Sequence, residues 1–223
     1  MSDTLWVFGH SFSLPFNLSN ENFGWPVLLS EKLNFSLKNF AQPGADNFFV
    51  YQSYKFEEKN INKNDIVIIG WSHPSRKTFI LDQKNKEHTD AAKNGLIYEL
   101  GEYIFFRSNN TVSLKNWPVL KPQPRSNSFY DTWFRNYYND HEQRGNFQAY
   151  LDSVNLTCEA NYVPFYFSKE SVTDVSYKYG AGCMSEFILE NNVMLKNDPH
   201  LNETGHRMWS EHLYEIIIKQ FKK

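Results

Sequence analysis

The sequence predicts an α/β fold, and two observations carry the prediction. Short apolar runs recur at 4–8, 35–40 and 65–71, and the stretches between them hold apolar residues at helical spacing. Strands that alternate with helices are the pattern of parallel βαβ units. TLWVF at 4–8 ends at Gly9, as a buried strand entering a tight turn does. GWPVLLSEKLN at 24–34 predicts a helix, with Val27, Leu28, Leu29 and Leu33 on one side and Pro26 in the first turn, where a missing N–H costs nothing. FSLKNF at 35–40 alternates as a second strand, and QPGADN at 42–47 breaks it, offering Asp46 or Asn47 as the cap of a helix that runs to about Asn60.

DIVIIGW at 65–71 is rich in β-branched residues, as a strand covered on both faces requires. From Ser75 to about Pro124 the pattern is poor: RKTFIL and EYIFFR fit strands, SNNT at 108–111 a turn and KPQP at 121–124 a loop. An insertion over about 75–150 follows from this. The stretch from Phe129 to Val154 predicts one or two helices broken near Gly145. NYVPFYF at 161–167 is a fourth strand, with Pro164 pointing to an edge or an irregular end. The last helix carries Met208, Trp209, Leu213, Ile216, Ile217 and Phe221 on one face.

Composition narrows the function classes. A chain of 223 residues with 41% hydrophobic content suits one large domain or two small ones. Its formal charge of −2 is too balanced for binding that rests on neutralising phosphates, so a nucleic-acid partner is disfavoured. Aromatic residues at 17% argue against intrinsic disorder. Cys158 and Cys183 are too few for a disulfide scaffold and too far apart for a CxxC motif, and read as free thiols. No run approaches the ~18 apolar residues of a membrane span. MSDTLWVFGH lacks a basic region and a cleavable apolar stretch, so no secretory signal is expected.

Three local features bear on chemistry. Ser11, in FGHSFS at 8–13, follows the first strand, where a side chain faces the ligand crevice of an α/β sheet. A serine hydroxyl needs a base to become a nucleophile, and NDPHLNETGH at 197–206 offers His200 with Asp198 two residues earlier to orient it. Gly44 follows the second strand, where a backbone N–H can approach a developing oxyanion. Each residue alone also fits a turn or cap; their order along the chain is what joins them.

With these residues in place, the chain resembles the SGNH, or GDSL-type, hydrolases. GHS at 9–11, NFAQPGADN at 39–47, IIGWSHPSR at 68–76 and DPHLNETGH at 198–206 stand where that family has its four blocks. The resemblance implies a three-layer α/β/α sandwich around a mostly parallel, flavodoxin-like sheet, with no metal or organic cofactor, and cleavage of an acyl ester through an acyl-serine intermediate. It implies Ser11 as nucleophile, His200 as general base, Asp198 as its orienting residue, and the N–H groups of Ser11 and Gly44 in the oxyanion hole. The blocks depart from the family in three places. His10 replaces the usual aspartate, Ser72 replaces the third-block asparagine, with Asn47 or His73 as substitutes, and Asn197 holds the usual aspartate position, leaving Asp198 for the role. His206 is the alternative histidine and reads as structural.

Substrate choice falls to the insertion in this reading. Trp117, Tyr130, Trp133, Tyr137 and Tyr138 offer a stacking platform or an acyl wall, although packing of most of them onto the core is the favoured explanation. Trp71 lies in the third block and Arg76 at its end, and Arg76 suits an anionic group or an ordinary ion pair. The expected substrate is a small-molecule or polysaccharide ester, with an acetyl group on carbohydrate or a lipid acyl chain as examples. The compact, asparagine-rich chain also resembles SGNH proteins carried by bacteriophages, which places it in the cytoplasm, or on a virion or released by lysis. Two other classes compete. One is a catalytically weak SGNH-fold module that binds carbohydrate or serves a virion, motivated by Ser72. The other is a flavodoxin-like nucleotide binder, weakened because no Gly-rich phosphate cradle follows the first strand.

Overall fold

The computed structural model describes residues 3–15, 23–73, 79–80, 95–100, 103–108, 139–167, 180–196 and 198–221. Strand β1 (Thr4–Phe8) leads through a 3-10 turn at Ser11–Ser13 to helix α1 (Trp25–Leu33), and β2 (Ser36–Asn39) leads to α2 (Asn47–Glu57). After β3 (Ile66–Trp71) come β4 (Phe79–Ile80), β5 (Gly95–Leu100) and β6 (Tyr103–Ser108). Helix α3 (Asp140–Thr157), β7 (Asn161–Tyr166) and α4 (Met184–Asn191) follow, then β8 (Met194–Leu195), β9 (Asp198–Leu201) and α5 (Glu203–Phe221).

Four strands form a parallel sheet in the order β2-β1-β3-β7, with Val7 opposite both Asn39 and Ile68. Successive side chains of a strand point to opposite faces, and here both faces are covered. Leu5, Val7, Ile66, Ile68, Val163 and Phe165 pack with Trp25, Leu29, Met184, Ile188, Trp209, Leu213 and Ile217 from α1, α4 and α5. Their neighbours Trp6, Phe8, Val67, Ile69, Trp71 and Tyr166 pack with Phe49, Val50, Tyr54, Phe147, Leu151 and Val154 from α2 and α3. The result is a three-layer α/β/α sandwich, and it explains why the 65–71 run is continuously apolar rather than alternating. Gly70 keeps the first core closed: a Cβ there would lie 2.3 Å from Cζ of Phe165.

Pro164 sits in β7, at the sheet's edge, as its missing N–H demands. Asp46, not Asn47, caps α2, its carboxylate accepting from the Phe49 N–H at 2.8 Å. The insertion holds an antiparallel three-stranded sheet, ordered β4-β6-β5. Of the two expected strands there, RKTFIL narrows to Phe79–Ile80 and EYIFFR is β6, while β5 is an additional strand that the sequence pattern does not predict. SNNT beyond Ser108 and KPQP lie outside the described residues.

Two sequence expectations are corrected. Helix α3 runs through Gly145 without a break, because that glycine is on the exposed side, where a Cβ would meet nothing within 4 Å. Met208 is 37% exposed; the buried side of α5 is Gly205, His206, Trp209, Ser210, Leu213 and Ile217, with Ile216 and Phe221 partly covered. Both cysteines are free thiols. No helix among the described residues is long and apolar enough to cross a membrane.

Candidate active site

The C-terminal ends of β1, β2 and β3 open on one side of the sheet, and the loops that leave them are tied together. The Gln42 N–H donates to the Gly9 carbonyl at 3.1 Å, and Asn39 Nδ2 donates to the Ser13 carbonyl at 2.9 Å. The Gln42–Ala45 turn closes with the Ala45 N–H on the Gln42 carbonyl at 3.2 Å. Pro43 and Gly44 take its two central positions, and Gly44, at φ 76°, adopts the left-handed conformation that a side chain resists.

Ser11 opens the 3-10 turn after β1 and is 6% exposed. Its Oγ lies 2.7 Å from Nε2 of His200, which comes from β9, 189 residues along the chain. On the other side of the ring, Nδ1 meets Oδ1 of Asp198, and the same oxygen accepts the His200 backbone N–H at 2.8 Å. That double contact fixes the imidazole: with Nδ1 facing a carboxylate, the proton belongs on Nδ1, and Nε2 is left to accept from Ser11. Asp198 is therefore the carboxylate that contacts His200; Asn197 lies outside the described residues.

Two further contacts have no counterpart in the sequence pattern. The Phe12 ring stacks on His200, with centroids 4.5 Å apart and planes inclined by 24°. Phe12 is 2% exposed, and its carbonyl accepts from Trp25 Nε1 at 2.8 Å. The FGHSFS motif contains Phe12, but only the 3-10 turn aims its ring toward β9. His206 is buried, and its Nδ1 accepts the Trp25 N–H at 3.1 Å, so it caps the start of α1. Burial, reinforced by the charge of nearby His200, pushes its pKa down to about 4. His206 is a structural group, as its place at the start of the last helix indicated. His10 is buried behind Ser11, edge-on to Phe12 and Phe167.

The remaining expected site residues divide. Ser72 and Asn47 lie together, the Ser72 N–H donating to Asn47 Oδ1 at 2.7 Å. Trp71 cannot wall a substrate. It is fully buried in the core under α2 and α3, edge-on to Phe147, with Nε1 donating to the Tyr162 hydroxyl at 3.0 Å. Arg76, Trp117, Tyr130, Trp133, Tyr137 and Tyr138 lie outside the described residues. Among the described residues no group of three or more His, Cys, Asp or Glu side chains is placed to hold a metal.

Solved structures share this arrangement of strands and helices. The chain superposes on the psychrotrophic esterase EstA from Pseudoalteromonas sp. with a TM-score of 0.52 at 14% identity, covering 99% of this chain and 100% of that one. The fold is that of the SGNH hydrolases. A member of the lipolytic G-D-S-L family from Veillonella parvula aligns at a TM-score of 0.44 and 8% identity, covering 100% of both chains. An acetyl xylan esterase aligns at 0.49 and 11%, covering 96% of this chain and 100% of its own. No protein-family profile matches the chain, and no curated protein matches it by sequence.

Proposed function

We propose that the protein is a serine ester hydrolase of the SGNH type, with Ser11 as nucleophile, His200 as general base and acid, and Asp198 as the residue that orients it. The observation that carries the reading is the unbroken contact from Ser11 Oγ to His200 Nε2 at 2.7 Å and on from Nδ1 to Asp198. The shared fold with EstA, an esterase, supports it.

The chemistry follows from those contacts. His200 Nε2 takes the Ser11 proton as Oγ adds to the ester carbonyl, and the carbonyl electron pair moves onto oxygen. Asp198 balances the imidazolium. The Ser11 and Gly44 N–H groups are the proposed donors to the oxyanion. Collapse expels the alcohol, which takes the proton from Nε2 and leaves an acyl-serine. Water, deprotonated by the same nitrogen, then releases the acid and restores the Ser11 hydroxyl. Phe12, stacked on His200, holds the ring at the angle both transfers need. The substrate class we propose is a small acyl ester, acetyl included, on an alcohol of carbohydrate or lipid type; virion association of a phage-borne protein is the setting we propose for it.

The deciding experiment measures hydrolysis of p-nitrophenyl acetate and longer acyl esters by the wild type, Ser11→Ala and His200→Ala. Turnover that both substitutions remove is the expected result. No turnover by the wild type, or turnover that survives both, overturns the reading and favours a binding module on the same fold.

A further inference from the structure

Ser72 stands where the third block of an SGNH sequence supplies a side-chain donor, yet it is fully buried. What it offers is its backbone: its N–H donates to Asn47 Oδ1 at 2.7 Å. That bond settles the orientation of the carboxamide, because only the oxygen can accept an N–H. The NH2 must then point away from Ser72. Asn47 is 6% exposed, the same as Ser11, and its Nδ2 has no hydrogen-bond partner among the described residues.

A buried amide with two unmet donors is costly, and a fold keeps such a group where something else brings the acceptor. The place is suited to an anion. Asn47 is the first residue of α2, an 11-residue helix whose N-terminus carries partial positive charge. It also belongs to the same end of the sheet as Ser11: a Cβ at Gly9 would lie 3.5 Å from the Gly70 carbonyl oxygen and the Gln42 N–H donates to the Gly9 carbonyl at 3.1 Å, so the segments that leave β1, β2 and β3 run side by side.

From these contacts we infer that the Asn47 carboxamide is the third oxyanion donor, standing in for the block-three side chain, with Ser72 as its positioning residue through the backbone N–H. The inference rests on the esterase reading above. As Ser11 Oγ adds to the carbonyl, the new O⁻ receives an N–H of Asn47 Nδ2, without proton transfer. The donor thus comes from the start of α2 rather than from the loop after β3.

Asn47→Asp tests this, since a carboxylate still accepts the Ser72 N–H but has no N–H to give. For p-nitrophenyl acetate at pH 8, kcat is expected to fall roughly a hundredfold to a thousandfold with KM changed by less than about threefold. Ser72→Ala, which keeps the backbone N–H, is expected to cost less than Asn47→Asp. Thermal unfolding confirms that the variants are folded. In a structure of the wild type phosphonylated at Ser11 by a p-nitrophenyl alkylphosphonate, a phosphonyl oxygen is expected within hydrogen-bond distance of Asn47 Nδ2, a result that needs no variant. The inference is overturned if Asn47→Asp stays within a few-fold of wild type, if Ser72→Ala costs as much, or if the phosphonyl oxygen lies out of reach of Nδ2. If turnover survives Ser11→Ala, the esterase reading falls as well; if Ser11→Ala abolishes turnover while Asn47→Asp does not, only the donor assignment falls.

Discussion

At the N-terminal ends of the strands, buried Asp65 accepts the Thr4 N–H at 2.8 Å, Trp6 Nε1 at 2.9 Å and the Asn62 N–H at 2.9 Å. At the C-terminal ends, Ser11 in the turn after β1 meets His200 and Asp198 of β9, but Asn47 Nδ2 at the start of α2 and Ser72 Oγ after β3 have no partner among the described residues. Both ends bury polar groups against one sheet. The Asp65 end spends its hydrogen-bonding capacity on the chain itself, stitching β1 to β3. The Ser11 end holds some in reserve, and in a close-packed interior that reserve is a mark of chemistry rather than of architecture.

Substitutions at the two ends should therefore separate activity from stability. Ser11→Ala or His200→Ala is expected to lower kcat for p-nitrophenyl acetate by at least about 10,000-fold, because the nucleophile and base act as a unit. Melting temperatures should move by no more than about 3 °C, since neither side chain satisfies a structural donor. A collapse in melting temperature would erase the distinction between the two ends. Asp65→Ala should do the reverse. It strands one buried donor, Trp6 Nε1, and two part-buried ones, the Thr4 and Asn62 N–H groups, for an expected loss of about 3 kcal/mol in denaturant unfolding, while kcat per folded molecule stays within a few-fold.

His206 sits at the Ser11 end but behaves like Asp65, because its Nδ1 is already taken by the Trp25 N–H. Its folded pKa of about 4 lies below the ordinary histidine value of 6.5. Between those values the unfolded chain binds the proton and the folded chain does not, so stability is complete above pH 6.5 and is lost as pH falls toward 4. The expected loss is about 3 kcal/mol over the window. It appears as the difference in unfolding free energy between wild type and His206→Asn at pH 7 and at pH 4.5; a difference that does not change with pH would count against it. The smallest effect concerns Phe12. Phe12→Leu keeps the packing volume but removes the aromatic face from His200. The kcat/KM for p-nitrophenyl acetate should fall about threefold, as loss of a ring contact worth about 0.5–1 kcal/mol implies. An unchanged kcat/KM would limit Phe12 to packing.

Strands β1, β3 and β7 are legible in the sequence because burial leaves dense apolar runs, as in IVIIGW at 66–71, whereas the largely exposed β2 is legible by the alternation of FSLKNF. The Ser11 and Gly44 loops are legible because each follows a strand, and the Asp198–His200 segment because it precedes the last helix. Strand β5 is not, since GLIYEL lacks a clear alternation, and its pairing with β6 supplies what its own sequence lacks. Gly145 resembles a break in the sequence but is none in the fold, because a glycine's helical cost is small where the helix is already held by Phe147, Leu151 and Val154. The partner for a missing third-block asparagine is undecidable from sequence between Asn47 and His73, because the choice depends on a backbone N–H, that of Ser72, which no sequence displays. The stacking of Phe12 on His200 is hidden for the same reason: it is set by where a turn aims a ring.

The contact between Ser11 and His200 joins positions 189 residues apart, and under the proposed esterase function this makes catalysis a late arrival in the life of the chain. A nascent polypeptide can pair β1 with β2 and β3 long before β9 exists, yet it holds only a serine without a base. The search entropy of so wide a loop must be met before the pair forms. Esterase activity, on this reading, would report the docking of the last strand and helix, so that the first turnover in a refolding or translation reaction dates the moment the fold closes.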